Sequence, residues 1–284
     1  MSHPNAAAAD IAGLRRRIAA IESGGGTAGE PLEDIGGWLP FGIPAVDGPL
    51  GGGLALGALH EASAKAPGTE GALTAFGLAL AAQAAKAGRR PVLVVQQELA
   101  AFEAGGLYGP GLEEIGLPEG TLVLVRVRKV QDVLLVMEEA LKCTGLSAVL
   151  GEVAAPLPEP LTATRRLSLA ARAGGTLGLL LRQSRDPEPC AALTRWVIGH
   201  ALSRPRDAYG GLGPACLSAT LTRNRHGPPG QWTLALQGSA FSLAPPEGLR
   251  HEPGDPAPRD LRAPLSQPVA RPPLHGPHRA AIVA

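Results

Sequence analysis

Aromatic side chains are scarce in this chain: four Phe, three Trp and two Tyr among 284 residues. The core must therefore be built from Leu, Ala and Val. Trp38, Trp196 and Trp232 read as core or interface anchors rather than base-stacking platforms. Long apolar runs are missing too. The longest, such as Leu177–Leu181, have strand length, and none approaches the ~18 residues of a spanning helix. The opening MSHPNAAAADIAGLRRR lacks the basic-then-apolar order of a secretory signal, so a cytoplasmic protein is expected. Cys143, Cys190 and Cys216 are dispersed and odd in number. They imply neither a disulfide framework nor a metal spacing, and read as small buried hydrophobes. No Ser-His-Asp order or paired-carboxylate motif is present.

Lysine vanishes from the second half. Residues 1–152 carry 11 basic and 17 acidic side chains; residues 153–284 carry 15 and 8, and all 15 bases are arginine. The net charge of +1 thus hides a segregation of sign. It fits a nucleic-acid face, an acidic protein partner or an arginine-biased coding sequence.

Hydrophobic spacing divides the chain into three parts. In DIAGLRRRIAAIE (10–22), Ile11, Leu14, Ile18 and Ile21 recur at helical intervals behind Asp10 as N-cap. SGGGTAGE (23–30) follows as a flexible linker. An isolated helix this short is marginal in water, so it should dock on its own body or on a partner. Residues 31–243 form the body. Strands are expected at 58–63, 91–97, 121–127, 147–153 and 176–182, and helices near 70–88, 112–116, 130–143 and 161–173. Continuous apolar strands such as PVLVVQ and TLGLLL suit a sheet buried on both faces. The alternation predicts an α/β, doubly wound, mostly parallel sheet with helices on both faces. Beyond residue 190, TRWVIGHAL, ACLSATLTRN and QWTLALQ read as strands without long helices between them. The last two flank HGPPG, the joint of an antiparallel hairpin. Residues 244–284 hold 10 of the 28 prolines without any period, and read as a Pro/Arg-rich disordered tail.

HEASAKAPGTEGALTAF (60–76) has the outline of a phosphate-binding loop: a short apolar strand, a small-residue loop, then an Ala/Leu-rich helix. The Lys-Ser/Thr pair of a Walker A loop is absent. Ala72 and Leu73 follow Gly71, and Lys65 sits before the turn rather than at the helix start. His60, alone in an apolar strand beside Glu61, reads as a hydrogen-bonded core histidine.

Four blocks in a fixed order resemble the RecA-type ATPases over residues 38–240. LPFGIPAVDGPLGGGLALGALHEASA (39–64) is similar to the segment leading into the phosphate-loop strand. VLVVQQELAAFEAGGLYGPGLEEIGLPEGTLVLVR (92–126) places Glu98 where such enzymes carry a water-activating acid. LSLAARAGGTLGLLLRQ (167–183) places Gln183 at the Asn/Gln sensor. In LTRNRHGPPGQW (221–232), Arg223 and Arg225 fall on the two basic positions of a hairpin that reaches a neighbour's ATP site. LPFG, GALHE and RNRHGPPGQW together with the failed Walker A resemble one divergent branch, the ImuA proteins of bacterial damage-inducible mutagenesis.

The departures matter. The strand SAVLGEV (147–153) has Gly151 and then Glu152 where Mg²⁺ binding calls for Asp. The two loops that contact DNA in RecA correspond to a Pro-rich VAAPLPEPLT and a compact SRDPEP, poor in phosphate-neutralising charge. The resemblance implies a degenerate RecA-like core, with Lys65, Gly71, Glu98, Glu152 and Gln183 as vestigial nucleotide positions and no cofactor, metal or catalytic residue. It implies an adaptor of SOS-induced translesion synthesis. Its partners would be ImuB and an error-prone C-family polymerase, with RecA as a further contact and DNA touched indirectly or weakly. Ile11, Leu14, Ile18, Arg223 and Arg225 are the partner-binding candidates. Two alternatives remain open from the residues: an atypical RecA/KaiC-type ATPase using Lys65, Glu98 and Arg223/Arg225, and a DNA-binding module using the basic half.

Overall fold

The computed structural model describes residues 36–183, 188–203 and 211–244. Ile11, Leu14, Ile18 and the tail lie outside them. The chain enters through two short strands, β1 (Trp38–Leu39) and β2 (Leu54–Ala55), paired antiparallel around the one-turn helix α1 (Pro44–Asp47). Asp47 organises this entry. Its two carboxylate oxygens accept from the backbone N–H groups of Phe41 at 2.7 Å and Ile43 at 2.9 Å. Gly53 of LGGGL is required by space: at φ +135° a Cβ on it would lie 2.2 Å from the Leu39 carbonyl oxygen.

Strands and helices then alternate as the pattern predicts: β3 (Leu59–Ala64), α2 (Glu70–Gly88), β4 (Val92–Gln97), α3 (Glu98–Ala104), α4 (Gly109–Glu114), β5 (Leu122–Val127), α5 (Val130–Leu141), β6 (Ala148–Val153), α6 (Pro160–Gly174) and β7 (Leu177–Arg182). Four strands follow: β8 (Thr194–Ala201), β9 (Ala215–Asn224), β10 (Gly230–Gln237) and β11 (Ala240–Leu243). They make a nine-stranded sheet of order β11-β10-β9-β8-β3-β7-β6-β4-β5. The pairings from β8 to β5 are parallel, and those from β8 to β11 antiparallel. The hairpin joins β9 to β10 around HGPPG, as expected. Five elements were not anticipated, namely α1, α3, β1, β2 and β11. The helix expected at 112–116 starts three residues earlier.

Both faces of the sheet are covered, and successive strand residues enter different cores. Leu150, Leu179 and Leu181 pack with α2, whereas Val149 and Leu180 pack with α5 and α6. This explains why β6 and β7 read as unbroken apolar runs. Helix α2 lies unusually close to the sheet, because Gly77 leaves room for Leu181; a Cβ there would be 2.8 Å from Leu181 Cδ1.

The scarce aromatics are concentrated. Five of the nine, Phe41, Phe76, Trp196, Trp232 and Phe241, form one nucleus with ring centroids 5.4–6.2 Å apart. They come from the entry loop, α2, β8, β10 and β11. The nucleus fastens the antiparallel extension to the parallel half.

Candidate functional site: the carboxyl ends of the parallel strands

In an open α/β sheet, ligands bind outside the carboxyl ends of the strands. The topology brings the sequence-predicted nucleotide positions to that edge. Lys65, Glu98 and Gln183 directly follow β3, β4 and β7, Glu152 is near the end of β6, and Gly71 is in the first turn of α2.

The loop after β3 is tight. Thr69 N–H donates to the Ala66 carbonyl at 3.1 Å, closing a four-residue turn over Ala66-Pro67-Gly68-Thr69. Thr69 Oγ1 donates back to the same carbonyl at 2.7 Å, and His200 Nε2 donates to the Gly68 carbonyl at 2.8 Å. The Lys65 stem crosses Gly199 of β8, and its Nζ lies 3.4 Å from Ser218 Oγ on β9. Lys65 thus points along the sheet toward the antiparallel half. Helix α2 begins with Glu70. A carboxylate in the first turn suits the helix dipole but opposes a phosphate at that helix start.

Glu152 is buried and held from two sides. Thr74 Oγ1 of α2 donates to Oε1 at 2.7 Å, and Gln96 Nε2 of β4 donates to Oε2 at 2.8 Å. Glu152 faces α2. Gly151 faces α5, where a Cβ would lie 2.0 Å from Met137 Sδ. Glu152 is therefore the only one of the pair that could address a ligand beside α2. Glu98 turns to solvent instead, and Arg128 Nε pairs with it at 3.2 Å on an exposed surface. The inward polar groups at the end of β4 are two amides, Gln96 and Gln97. Gln97 Oε1 accepts the Ala154 N–H at 3.0 Å and its Nε2 donates to the Arg128 carbonyl at 3.3 Å. Gln97 thereby fixes the start of the loop after β6. Sequence reasoning passed over both glutamines, although two amides closing an apolar strand were visible in VVQQE. Gln183 Nε2 reaches the Ala100 carbonyl at 3.5 Å. Among the described residues, no three His, Cys, Asp or Glu side chains come together as a metal site.

On the opposite face of the sheet, a buried ionic network holds the connection from β7 to β8. Glu61 of β3 lies 3.1 Å from Arg195 Nε of β8 and 3.8 Å from Arg182 Nη1 of β7. Arg182 also pairs through Nη2 with Glu188, and Arg195 Nη2 donates to the Glu188 carbonyl. Arg223 Nη1 donates to the Cys190 carbonyl at 3.3 Å, and the Arg225 N–H to the Leu193 carbonyl at 3.2 Å. Both hairpin arginines thus contact the 190–193 segment of their own chain. At the hairpin tip, Asn224 Nδ2 donates to the Pro49 carbonyl at 2.8 Å. Burial, reinforced by the Glu61 carboxylate, pushes the Cys190 thiol up to about 11 and keeps it protonated. The network was also missed in the sequence, where its signal was one charged residue in each of three apolar strands.

His60 is buried in the α2 face. Its Nε2–H donates to the Ala55 carbonyl at 3.0 Å, so Nδ1 accepts from Thr194 Oγ1 at 2.7 Å. Trp196 Nε1 in turn donates to Thr194 Oγ1 at 2.9 Å. Desolvation is the main cause that lowers the imidazole to about 4, outweighing the Ala55 hydrogen bond.

No family model matches the chain. Among curated proteins it is similar to Protein ImuA of Caulobacter vibrioides, from strain NA1000/CB15N and from strain ATCC 19089. Each is 35% identical over 215 residues, covering 70% of this chain and 83% of the relative. Among the described residues, no helix is long and apolar enough to cross a membrane.

Proposed function

Since the chain belongs to the ImuA family, we propose that it serves damage-induced mutagenesis as a non-catalytic adaptor built on a degenerate RecA-like core. The observation that carries this reading is the state of Glu152. Its two carboxylate oxygens are taken by Thr74 and Gln96 inside the protein. Mg²⁺ held there would have to share these oxygens with the two donors that a buried charge depends on. Phosphoryl transfer rests on positioning and charge neutralisation. Here the loop lysine points toward β9, the helix start carries an acid, and Glu98 faces solvent paired with Arg128. A scaffold kept whole while its phosphate-facing charges turn inward or away suits docking better than turnover.

The partners we propose are ImuB and an error-prone C-family polymerase, with RecA as a further contact, since RecA-type cores pair head to tail. Ile11, Leu14 and Ile18 supply one docking stripe. Arg223 and Arg225 supply basic groups at the hairpin for an acidic surface. Deleting residues 1–22 or 244–284 is expected to weaken co-purification with ImuB or RecA. Unchanged recovery of both partners by both truncations would refute docking through the ends.

A further inference from the structure

A groove of about 400 Å³ runs between the first halves of α5 and α6. Its walls are Leu134 and Leu135 on α5 and Ala163 and Leu167 on α6, and Leu135 is 56% exposed. Acids stand on both rims: Asp132 and Glu138 on α5, and Glu159 at the start of α6. Glu138 is already paired with Arg166 at 2.7 Å and Lys142 at 3.5 Å, which leaves Asp132 and Glu159 as the acids of the two rims. An apolar floor with carboxylates on either side matches an amphipathic helix whose stripe is flanked by bases.

We infer that this groove is the seat of residues 10–22 of the same chain. At ~100° per residue, Ile11, Leu14, Ile18 and Ile21 share one stripe, and Arg15 and Arg17 fall about 80° to either side of its centre. One base can therefore face Asp132 on the α5 rim and the other Glu159 on the α6 rim. Connection length agrees. The chain enters the described structure at the foot of α6: the Leu56 N–H donates to the Gly37 carbonyl, and Gly57 abuts Gly175 and the Ala171 carbonyl. The groove lies at the head of that helix, one helix length or ~22 Å away. A coil of the 13 residues 23–35 would span ~20 Å r.m.s.. Docking within the chain thus needs no stretching, and the tether supplies an effective concentration in the millimolar range. The hydrophobic residues of the segment and Leu135 leave water together. In the chain alone the segment fills the groove, and docking of a partner on Ile11, Leu14 and Ile18 requires its release, so exchange is read on the chain without partners.

Hydrogen exchange read by mass spectrometry on the full chain tests it. The amides of 10–22 should exchange at least about tenfold more slowly than in a free peptide of the same sequence. Leu135→Asp should abolish that protection. Leu169→Asp, at an exposed α6 leucine outside the groove lining, should leave it intact. Ile18→Asp should raise exchange on the groove side, at 131–138. Free exchange of 10–22 in the wild-type chain, or protection that survives Leu135→Asp, would overturn the assignment. So would protection that fades on dilution, which would make a second copy the occupant. Groove protection unchanged by Ile18→Asp would point to the C-terminal tail or another occupant, and would equally overturn it.

Discussion

Glu152 and His60 show what a polar residue requires inside an apolar sheet. Each sits in a strand whose neighbours are aliphatic, and each has a partner for both of its polar ends. Three of the four partners, Thr74, Gln96 and Thr194, come from elements far away in sequence; the fourth, Ala55, is near His60 in the chain. Gln96→Leu would leave Glu152 Oε2 with nothing to accept and is expected to cost about 2–3 kcal/mol of unfolding free energy in urea titrations. A loss below about 0.5 kcal/mol would mean that water reaches the carboxylate. His60 gives a pH signature. Its folded value near 4 lies below the unfolded 6.5, so the unfolded chain binds more protons between those limits. Its contribution is then complete above pH 6.5 and is lost as pH falls toward 4, to the extent of about 3 kcal/mol. His60→Gln keeps hydrogen-bonding capacity without titrating. Its stability should fall less than that of the wild type across the window, and parallel acid limbs would show that His60 does not titrate as described. The chemistry of these residues was only partly legible beforehand. HEASA announced a histidine and an acid in an apolar strand, but Thr194 became its partner only once β3 lay beside β8.

At the scale of elements, the sequence revealed those whose burial leaves a periodic trace. Strands β4, β6 and β7 are sandwiched between helices and read as apolar runs; α2, α5 and α6 have stripes or Ala-rich surfaces. Helix α3 escaped because its larger apolar residues face water: Leu99 is 44% exposed and Phe102 87%. No core-facing stripe exists to be read. β1, β2 and α1 have two, two and four residues, too few for any period. The network around Arg182 joins β3, β7, β8 and the segment 188–193, so it depends on strand order. The segment is pinned at Glu188 and Cys190 by arginines of β7, β8 and β9, and at Leu193 by the Arg225 N–H. Arg182→Met should cost about 3–5 kcal/mol, because Glu61 and Glu188 lose their shared counter-charge. Adding Glu61→Leu, Glu188→Leu and Arg195→Met should restore much of that loss, since an apolar set of similar volume replaces a buried ionic one. A quadruple variant no more stable than the single one would assign the arginine a packing role instead.

Across the whole molecule, two halves with different pairing are joined by one aromatic nucleus and one ionic network, on opposite faces of β3 and β8. Phe241→Ala removes the ring that β11 contributes. It should cost about 3–5 kcal/mol while the unfolding transition stays single, because β8 to β11 share this core with α2. Two resolved transitions would mean that the antiparallel extension unfolds on its own. The arrangement favours a rigid platform. Its doubly wound topology and its hairpin were legible from strand spacing and turn residues. The orientation of Lys65 was not, because Gly199 and Ser218, which set its course, are more than 130 residues away.

On the proposed adaptor reading, the carboxyl edge of the sheet holds no nucleotide. Titration of the full chain with a fluorescent ATP analogue, with and without Mg²⁺, tests it most directly. The structure predicts no saturable binding up to millimolar nucleotide, and no change on adding Mg²⁺. Micromolar, Mg²⁺-dependent binding that is lost in Lys65→Ala or Glu98→Ala would contradict it, and would make the protein a nucleotide-gated switch with an unusual loop.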